Sequence, residues 1–265
     1  MPFKNNISER LKEAGIENHI FEAKIIERYA KKDDIENITE RRCSREPLQY
    51  ILGEWEFYGD VYKLNKDCLI PRPESEFLTE YIIKNAPFGG TVADLCSGSG
   101  CVSVSALKRR EDLSAVLIDI SGGALEISKE NAALNGVAGR AEFYCLDITA
   151  DFLKIREIIK PADIIAVNPP YLTRFEIERI KAEKTELSHE PQTAFFGGED
   201  GLDFYRAIIN NYSRVLKDGA ATVFECGANQ SGSIIKMFEN IGFSSDIIRD
   251  YAKIERIVIG SKNKK

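Results

Sequence analysis

The chain is organised around residues 163–171, which read DIIAVNPPY. The apolar run in this stretch has the length and composition of a buried strand. Two prolines then end the strand, because proline has no backbone N–H and a fixed φ. A residue that precedes a proline is held extended, which applies here to Asn168 and Pro169. The stretch therefore predicts a stiff turn at the carboxyl end of a strand, with few ladder partners for its polar groups.

This turn offers oxygens that suit a planar NH2 group. The Asn168 amide and the carbonyls of Asn168 and Pro169 can accept both hydrogens of such a group and aim its lone pair at an electrophile. Orientation of this kind can supply a large part of a barrier reduction. Pro170 stiffens the turn, and Tyr171 is placed to cover the flat face of a substrate. The alternative, a structural proline turn with Tyr171 as packing, stays open on these four residues alone.

Length and composition favour two domains in a cytoplasmic protein. The chain has 265 residues, of which 43% are hydrophobic, enough for a substantial core. We expect no membrane segment, since no apolar run approaches membrane-span length, and no signal segment, since residues 1–6 are not apolar. Six scattered cysteines without C-x-x-C spacing, with only two histidines, indicate reduced thiols and no metal site. A net charge of -6 argues against a broad electrostatic contact with nucleic acid.

Residues 1–73 are expected to form a small helical domain followed by a hairpin linker. Apolar residues recur at helical spacing between charges in residues 7–29. Residues 55–64 predict a β-hairpin with Gly59 and Asp60 at its turn. Arg72 lies between two prolines on a rigid extended segment, which serves either as a connector or as part of a substrate site. Taken alone, Arg72 favours the connector.

Residues 74–265 show strands that alternate with helices. The expected strands are residues 91–95, 115–119, 141–145, 164–167, 221–225 and 254–259. This alternation predicts an α/β fold with a doubly wound, mostly parallel sheet. In such sheets, ligands bind beyond the carboxyl ends of the strands, where the strand order reverses.

Glycine and carboxylate positions fall at these strand ends. Gly98 and Gly100 allow a ligand to approach the backbone closely, and Asp94 is placed to orient their loop. Asp119 follows the glycines by about 20 residues, the usual spacing for a carboxylate that binds ribose hydroxyls.

A nucleoside without phosphates fits this pattern better than a dinucleotide. The dinucleotide fingerprint has a third glycine where this chain has Ser103, and no lysine is present for a triphosphate. Asp147 and Ile148 end the third strand, where an adenine amine and ring would lie. Each carboxylate alone is as easily a helix cap or a loop partner, but the ordered series with Asn168 favours a binding site.

The series resembles that of class I S-adenosylmethionine-dependent methyltransferases, with residues 94–100, DLCSGSG, as the cofactor loop. The family usually has a glycine in place of Cys96, and some members have an aromatic residue in place of Ile148. The resemblance implies S-adenosylmethionine as the cofactor. The cofactor-binding residues that it implies are Asp94, Cys96, Ser97, Gly98, Ser99, Gly100, Asp119, Asp147, Ile148 and Asn168.

The flanking segments resemble one family within that class, the peptide chain release factor glutamine methyltransferases, also called PrmC or HemK. The segments that carry this resemblance are residues 47–53 (PLQYILG), 69–74 (LIPRPE), 189–194 (HEPQTA) and 196–201 (FGGEDG). The resemblance implies methyl transfer to the side-chain amide of the glutamine in the Gly-Gly-Gln loop of bacterial class I release factors. It assigns catalysis to residues 168–171 and substrate binding to Asn168, Pro169, Pro170, Tyr171, Arg72, His189 and Glu190.

Two other functions stay open. An adenine amino methyltransferase acting on DNA or RNA would use the same pocket, although the acidic balance and the lack of a basic, aromatic stripe count against it. A non-catalytic binding module would keep the fold, but the intact Asn168 turn counts against that. We assign His189 a positioning role, because amide methylation can release its proton after transfer and needs no strong base.

Overall fold

The computed structural model describes residues 7–183 and 185–262. Its N-terminal part consists of four short helices and a hairpin. The elements are α1 (Ile7–Glu13), α2 (His19–Tyr29), α3 (Ile35–Cys43), α4 (Leu48–Leu52), β1 (Glu54–Phe57) and β2 (Asp60–Lys63). Leu11 and Ile26 lie at the centre of a small core that the helices share. The predicted helical unit and its connecting hairpin are confirmed.

The hairpin turns one residue earlier than predicted. Tyr58 and Gly59 have φ values of 52° and 77°, and two successive positive φ angles are typical of a type I′ turn. Asp60, predicted to lie in the turn, instead pairs with Phe57 as the first residue of β2. The prediction was wrong because it expected the turn to begin at a glycine, whereas Tyr58 adopts the first left-handed position.

A seven-stranded sheet lies at the centre of the rest of the described chain. Its strands are β3 (Thr91–Leu95), β4 (Ser114–Asp119), β5 (Ala141–Cys145), β6 (Ile164–Val167), β7 (Ala221–Glu225), β8 (Ser244–Arg249) and β9 (Glu255–Ser261). Their spatial order is β5-β4-β3-β6-β7-β9-β8. The first five of these run parallel, and β9 is antiparallel to both β7 and β8. The predicted doubly wound, mostly parallel α/β sheet is confirmed.

Helices cover both faces of this sheet. They are α5 (Glu76–Asn85), α6 (Cys101–Arg109), α7 (Gly122–Leu134), α8 (Phe152–Ile159), α9 (Arg174–Glu183), α10 (Asp203–Asn211) and α11 (Ser231–Asn240). Successive strand residues point to opposite faces. Leu95 therefore joins the buried cluster that holds α8, α10 and α11, whereas Val92 joins the cluster that holds α5 and α6.

Strand β8 was not predicted from the sequence. It lies at the edge of the sheet, and its residues, SSDIIR, are exposed or half-buried. An edge strand that faces solvent lacks the continuous apolar run by which buried strands are recognised.

The strand order reverses between β3 and β6. Leu95 at the end of β3 pairs with Ile118 of β4 on one side and with Val167 of β6 on the other. The glycine loop, Asp119 and Asn168 therefore begin at one edge of the sheet, where open α/β sheets bind ligands.

Two further findings concern the described residues as a whole. No helix within residues 7–183 and 185–262 is long and apolar enough to span a membrane. All six cysteines are free thiols.

Candidate functional site

A cavity of about 570 Å³ opens at the carboxyl ends of the parallel strands. The predicted site residues that line it are Arg72, Asp94, Cys96, Ser97, Gly98, Ser99, Asp119, Asp147, Ile148, Asn168 and Pro170. The predicted site residues that do not line it are Gly100, Pro169, Tyr171, His189 and Glu190. One cavity thus holds both the cofactor loop and the proline turn, although the two come from distant parts of the sequence.

The loop between β3 and α6 has a left-handed backbone at three positions. The φ angles of Cys96, Gly98 and Gly100 are 61°, 54° and 75°. A Cβ atom at Gly100 would lie 2.2 Å from the Ser128 Oγ, so only glycine fits there, whereas a Cβ atom at Gly98 would meet open space. Cys96 stands where the resembling family has glycine, and its positive φ gives the reason, since few non-glycine residues adopt that conformation.

Asp119 fixes this loop from the neighbouring strand. Its Oδ2 accepts a hydrogen bond from the Gly98 N–H at 2.8 Å, and its Oδ1 accepts one from the Ser121 N–H at 2.9 Å. Burial raises the pKa of the Asp119 carboxyl above its ordinary value. The carboxylate predicted to bind ribose therefore also orders the glycine loop.

Asp94 is buried at the end of β3, and burial raises the pKa of its carboxyl to about 7. Its Oδ2 has no hydrogen-bond partner among the described residues. A buried polar atom without a partner is costly and calls for an explanation. Because Asp94 lines the cavity, a hydrogen-bond donor on a bound ligand would supply that partner.

The far end of the cavity is apolar. Ile120, Leu146 and Ile148 line it, and Ile120 is 57% exposed although it is large and hydrophobic. Beside them, the Asp147 Oδ1 accepts hydrogen bonds from the Thr149 N–H and hydroxyl at 2.7 and 2.6 Å. This region suits a flat, weakly polar ring. Ile120 was missed from the sequence, although an apolar residue directly after a strand-ending carboxylate was a usable signal.

The Ser75 and Glu225 side chains hold Asn168 in place, and of these two Ser75 was missed from the sequence. The Asn168 Nδ2 donates to the Ser75 Oγ at 3.1 Å, and the Ser75 hydroxyl donates to the Glu225 Oε2 at 2.6 Å. The sequence feature that could have indicated this contact was Glu225, a carboxyl residue that ends an apolar strand. Strand β7 pairs with β6, so Glu225 lies beside the start of the proline turn.

Tyr171 packs away from the cavity lining. A Cβ atom at Gly227 would lie 3.1 Å from the Tyr171 Cδ2, and the Tyr171 carbonyl accepts a hydrogen bond from the Gln230 Nε2 at 3.0 Å. Burial raises the pKa of its hydroxyl to about 12. Its proposed contact with the face of a substrate stays a prediction.

Glu190 secures the extended segment that carries Arg72. Its buried carboxylate accepts hydrogen bonds from the Arg72 Nη2 at 2.5 Å and from the Ile70 N–H at 3.0 Å. Arg72 lines the cavity, so its segment serves both as a connector and as part of the wall. His189, half-buried, ends the 3-10 turn at residues Glu186–His189 beside Glu190.

Similarity to known proteins first indicates the class to which this chain belongs. The family model "Methyltransferase small domain" matches residues 73–185. The hMettl16 catalytic domain, solved in complex with MAT2A 3′UTR hairpin 1, is 13% identical with a TM-score of 0.61, over 86% of this chain and 78% of that one. At that identity the likeness concerns the fold alone. The fold and the site together define a Rossmann-like methyltransferase.

Curated relatives narrow the class to one family. The release factor glutamine methyltransferase of Thermodesulfovibrio yellowstonii is 35% identical over 235 residues, 87% of this chain and 81% of the relative. That of Clostridium acetobutylicum is 31% identical over 271 residues, 94% of this chain and 93% of the relative. The chain belongs to the release factor glutamine methyltransferase family, and the resemblance drawn from the motifs is confirmed.

The buried Asp94 predicts a particular pH dependence of stability. Its native pKa of about 7 exceeds the ordinary 3.8, so between these pH values the folded protein holds a proton that the unfolded chain releases. The free energy of unfolding therefore falls as pH rises through that window and levels off above it. We expect Asp94→Asn to lose less stability than wild type from about pH 4.5 to about pH 8, by about 3 kcal/mol, measured by urea unfolding.

Asp112→Asn is the matched control for that measurement. Hydrogen bonding from Arg110 holds the pKa of the half-buried Asp112 carboxyl below its ordinary value. Its contribution is therefore lost only in more acidic solution, and Asp112→Asn should keep the wild-type difference between the two pH values. Equal losses in Asp94→Asn and wild type would contradict the burial account of Asp94.

Proposed function

We propose that this methyltransferase transfers a methyl group from S-adenosylmethionine to the side-chain amide nitrogen of the glutamine in the Gly-Gly-Gln loop of bacterial class I release factors. The observation that carries the proposal is that Asn168, the glycine loop and the carboxylates Asp94, Asp119 and Asp147 all line the same cavity. Membership of the family gives the substrate class. The proposal places the protein in the cytoplasm, where translation terminates.

Three features of the cavity support S-adenosylmethionine as the cofactor. Among the described residues, no donor bonds the Asp94 Oδ2 and no atom occupies the position of a Gly98 side chain, and Ile120 and Ile148 add an apolar lining. In the proposal, Asp119 binds the ribose hydroxyls, Asp147 and Ile148 bind the adenine, and residues 96–99 border the remainder. When bound, this cofactor supplies a methyl group on a positively charged sulfur, which is the electrophile of the reaction.

The proline turn would prepare the nucleophile. An amide nitrogen is a poor nucleophile because its lone pair is delocalised into the carbonyl. The Asn168 Oδ1 and the Pro169 carbonyl would accept its two hydrogens, hold the nitrogen and aim its lone pair. Because the nitrogen is already oriented when it reacts, the activation step carries a smaller entropy cost. The amide proton leaves after transfer, so His189 need not act as a base.

The N-terminal domain, proposed to comprise residues 1–73, would recognise the release factor beyond its Gly-Gly-Gln loop. Residues 1–6 of this domain and residues 263–265 of the catalytic domain, proposed to comprise residues 74–265, lie outside the described residues. Two observations support the role. Helix α2 exposes Ile20, Phe21 and Tyr29, and Arg42 donates to Glu186, in the segment that follows the proline turn, at 3.0 Å.

A methyl-transfer assay tests the proposed substrate against its rivals. Purified protein is incubated with radiolabelled S-adenosylmethionine and, separately, with a bacterial release factor, with DNA and with RNA. We expect label in the release factor and none in a release factor whose Gly-Gly-Gln glutamine is replaced by alanine. Label in nucleic acid would favour an adenine methyltransferase, and cofactor binding without any transfer would favour a non-catalytic module.

The role of Asn168 predicts a separation of turnover from cofactor binding. Asn168→Ala removes an acceptor from the nitrogen in the transition state, so we expect kcat to fall by about 100-fold or more. Calorimetry should show cofactor affinity largely unchanged. Asn85→Ala, at an exposed asparagine that ends α5, should retain wild-type turnover. Normal turnover in Asn168→Ala would refute the role of Asn168.

The recognition role of the N-terminal domain predicts an effect on KM alone. Phe21 is 59% exposed on α2, and Phe21→Asp should raise the KM for the intact release factor by about tenfold, the equivalent of one lost apolar contact. Phe88 is 92% exposed, just before the amino end of β3, so Phe88→Asp is the matched control with unchanged KM. The proposal for this domain fails if both variants behave alike.

A further inference from the structure

Glu225 is a buried carboxyl group that hydrogen bonds connect, through Ser75, to Asn168 in the proline turn. It ends β7, and its Oε2 accepts the hydrogen of the Ser75 hydroxyl at 2.6 Å. The Ser75 Oγ in turn accepts a hydrogen bond from the Asn168 Nδ2 at 3.1 Å. Both Glu225 and Ser75 are buried, and Ser75 and Asn168 line the cavity whereas Glu225 does not. These three side chains form a continuous path from the core to the proposed substrate amide.

The chemistry of hydrogen bonding fixes the direction of this path. A serine hydroxyl has one hydrogen to donate. When Ser75 gives it to an ionised Glu225, which can only accept, the Ser75 Oγ can bond Asn168 only by accepting. The NH2 end of Asn168 must then face Ser75, and its Oδ1 faces away. The two ends of an asparagine amide are similar in shape, so the network decides which way the group is turned.

A protonated Glu225 would lose this control. A carboxylic acid can donate to Ser75 as well as accept from it, so Ser75 could donate to the Asn168 Oδ1 instead. The NH2 end of Asn168 would then turn toward the cavity and face the NH2 of the substrate, donor against donor. The ionised carboxylate permits one orientation of Asn168, whereas the protonated acid permits both.

We propose that Glu225 is a positioning residue which, through Ser75, sets the orientation of the Asn168 amide and makes turnover depend on the ionisation of Glu225. The proposal rests on the proposed function of Asn168 as the acceptor for the substrate NH2. Glu225 itself touches neither substrate nor cofactor in this account.

The surroundings of Glu225 place its ionisation in the working range of the enzyme. Burial raises the pKa of the Glu225 carboxyl to about 7, against the opposing effect of the hydrogen bond from Ser75. Glu74 adds to the rise, and Arg256 and Arg72 oppose it. The other titratable groups that face it are Tyr171, Tyr205 and Cys226. The Tyr205 hydroxyl donates to the Glu225 backbone carbonyl at 3.0 Å, which anchors the end of the strand. Because the carboxylate is the active form, turnover should rise with pH.

The test is the pH profile of kcat at saturating release factor and cofactor. Wild-type kcat should fall by about tenfold from about pH 8 to about pH 6, as the ionised fraction of a group with a pKa of about 7 does. Glu225→Gln cannot ionise, so its profile should be flat and near the low-pH rate of wild type. Ser75→Ala should also be slow and flat, whereas Ser75→Thr keeps the hydroxyl and should restore the wild-type profile.

The outcomes separate this proposal from the proposed function. A flat wild-type profile, or a Glu225→Gln profile that keeps the acid decline, would overturn the role of Glu225 while methyl transfer stands. The second result would assign the decline to Asp94, whose pKa burial also raises to about 7. If Ser75→Thr is slow and its kcat does not fall in acid, Ser75 and Glu225 have only a structural role. No methylation of release factor by wild type would overturn both proposals together.

Discussion

The constraint on which the site depends is the proline turn at the end of β6. Pro169 and Pro170 cannot donate to a sheet ladder, so the strand must end at Val167 and the chain must leave the sheet there. Strand β6 lies between β3 and β7, which places Asn168 between the cofactor loop on one side and Glu225 on the other. A rigid corner at the point where the strand order reverses thus fixes the spacing between the two halves of the proposed reaction.

Buried carboxyl groups surround this corner at a cost in stability. Asp94, Asp119 and Glu225 lie at the carboxyl ends of the parallel strands β3, β4 and β7, and burial raises the pKa of each above its ordinary value. Desolvation disfavours their charged forms, so a fold selected for stability alone would replace them. Their retention at one edge of the sheet is explained by ligands and by the two polar segments that they hold, the glycine loop and the proline turn.

Much of this arrangement could be predicted from local sequence. Strands β3, β5 and β7 begin and end at the predicted residues, because each is an apolar run with a glycine or carboxylate at its boundary. The parts that were missed depend on contacts between distant residues. Ser75 and Glu225 are separated by 150 positions along the chain, and the position of Tyr171 depends on close contact with Gly227. Strand β8 lacked a local signal because it is a half-exposed edge strand without a continuous apolar run, and Tyr58 lacked one because a glycine was expected to begin the turn.

The most direct test of the central claim is a crystal structure with S-adenosylhomocysteine and a Gly-Gly-Gln peptide bound. We predict that the glutamine amide nitrogen lies within hydrogen-bond distance of both the Asn168 Oδ1 and the Pro169 carbonyl, with the cofactor sulfur in line beyond it. A glutamine held elsewhere, with the proline turn facing away from the sulfur, would contradict the account.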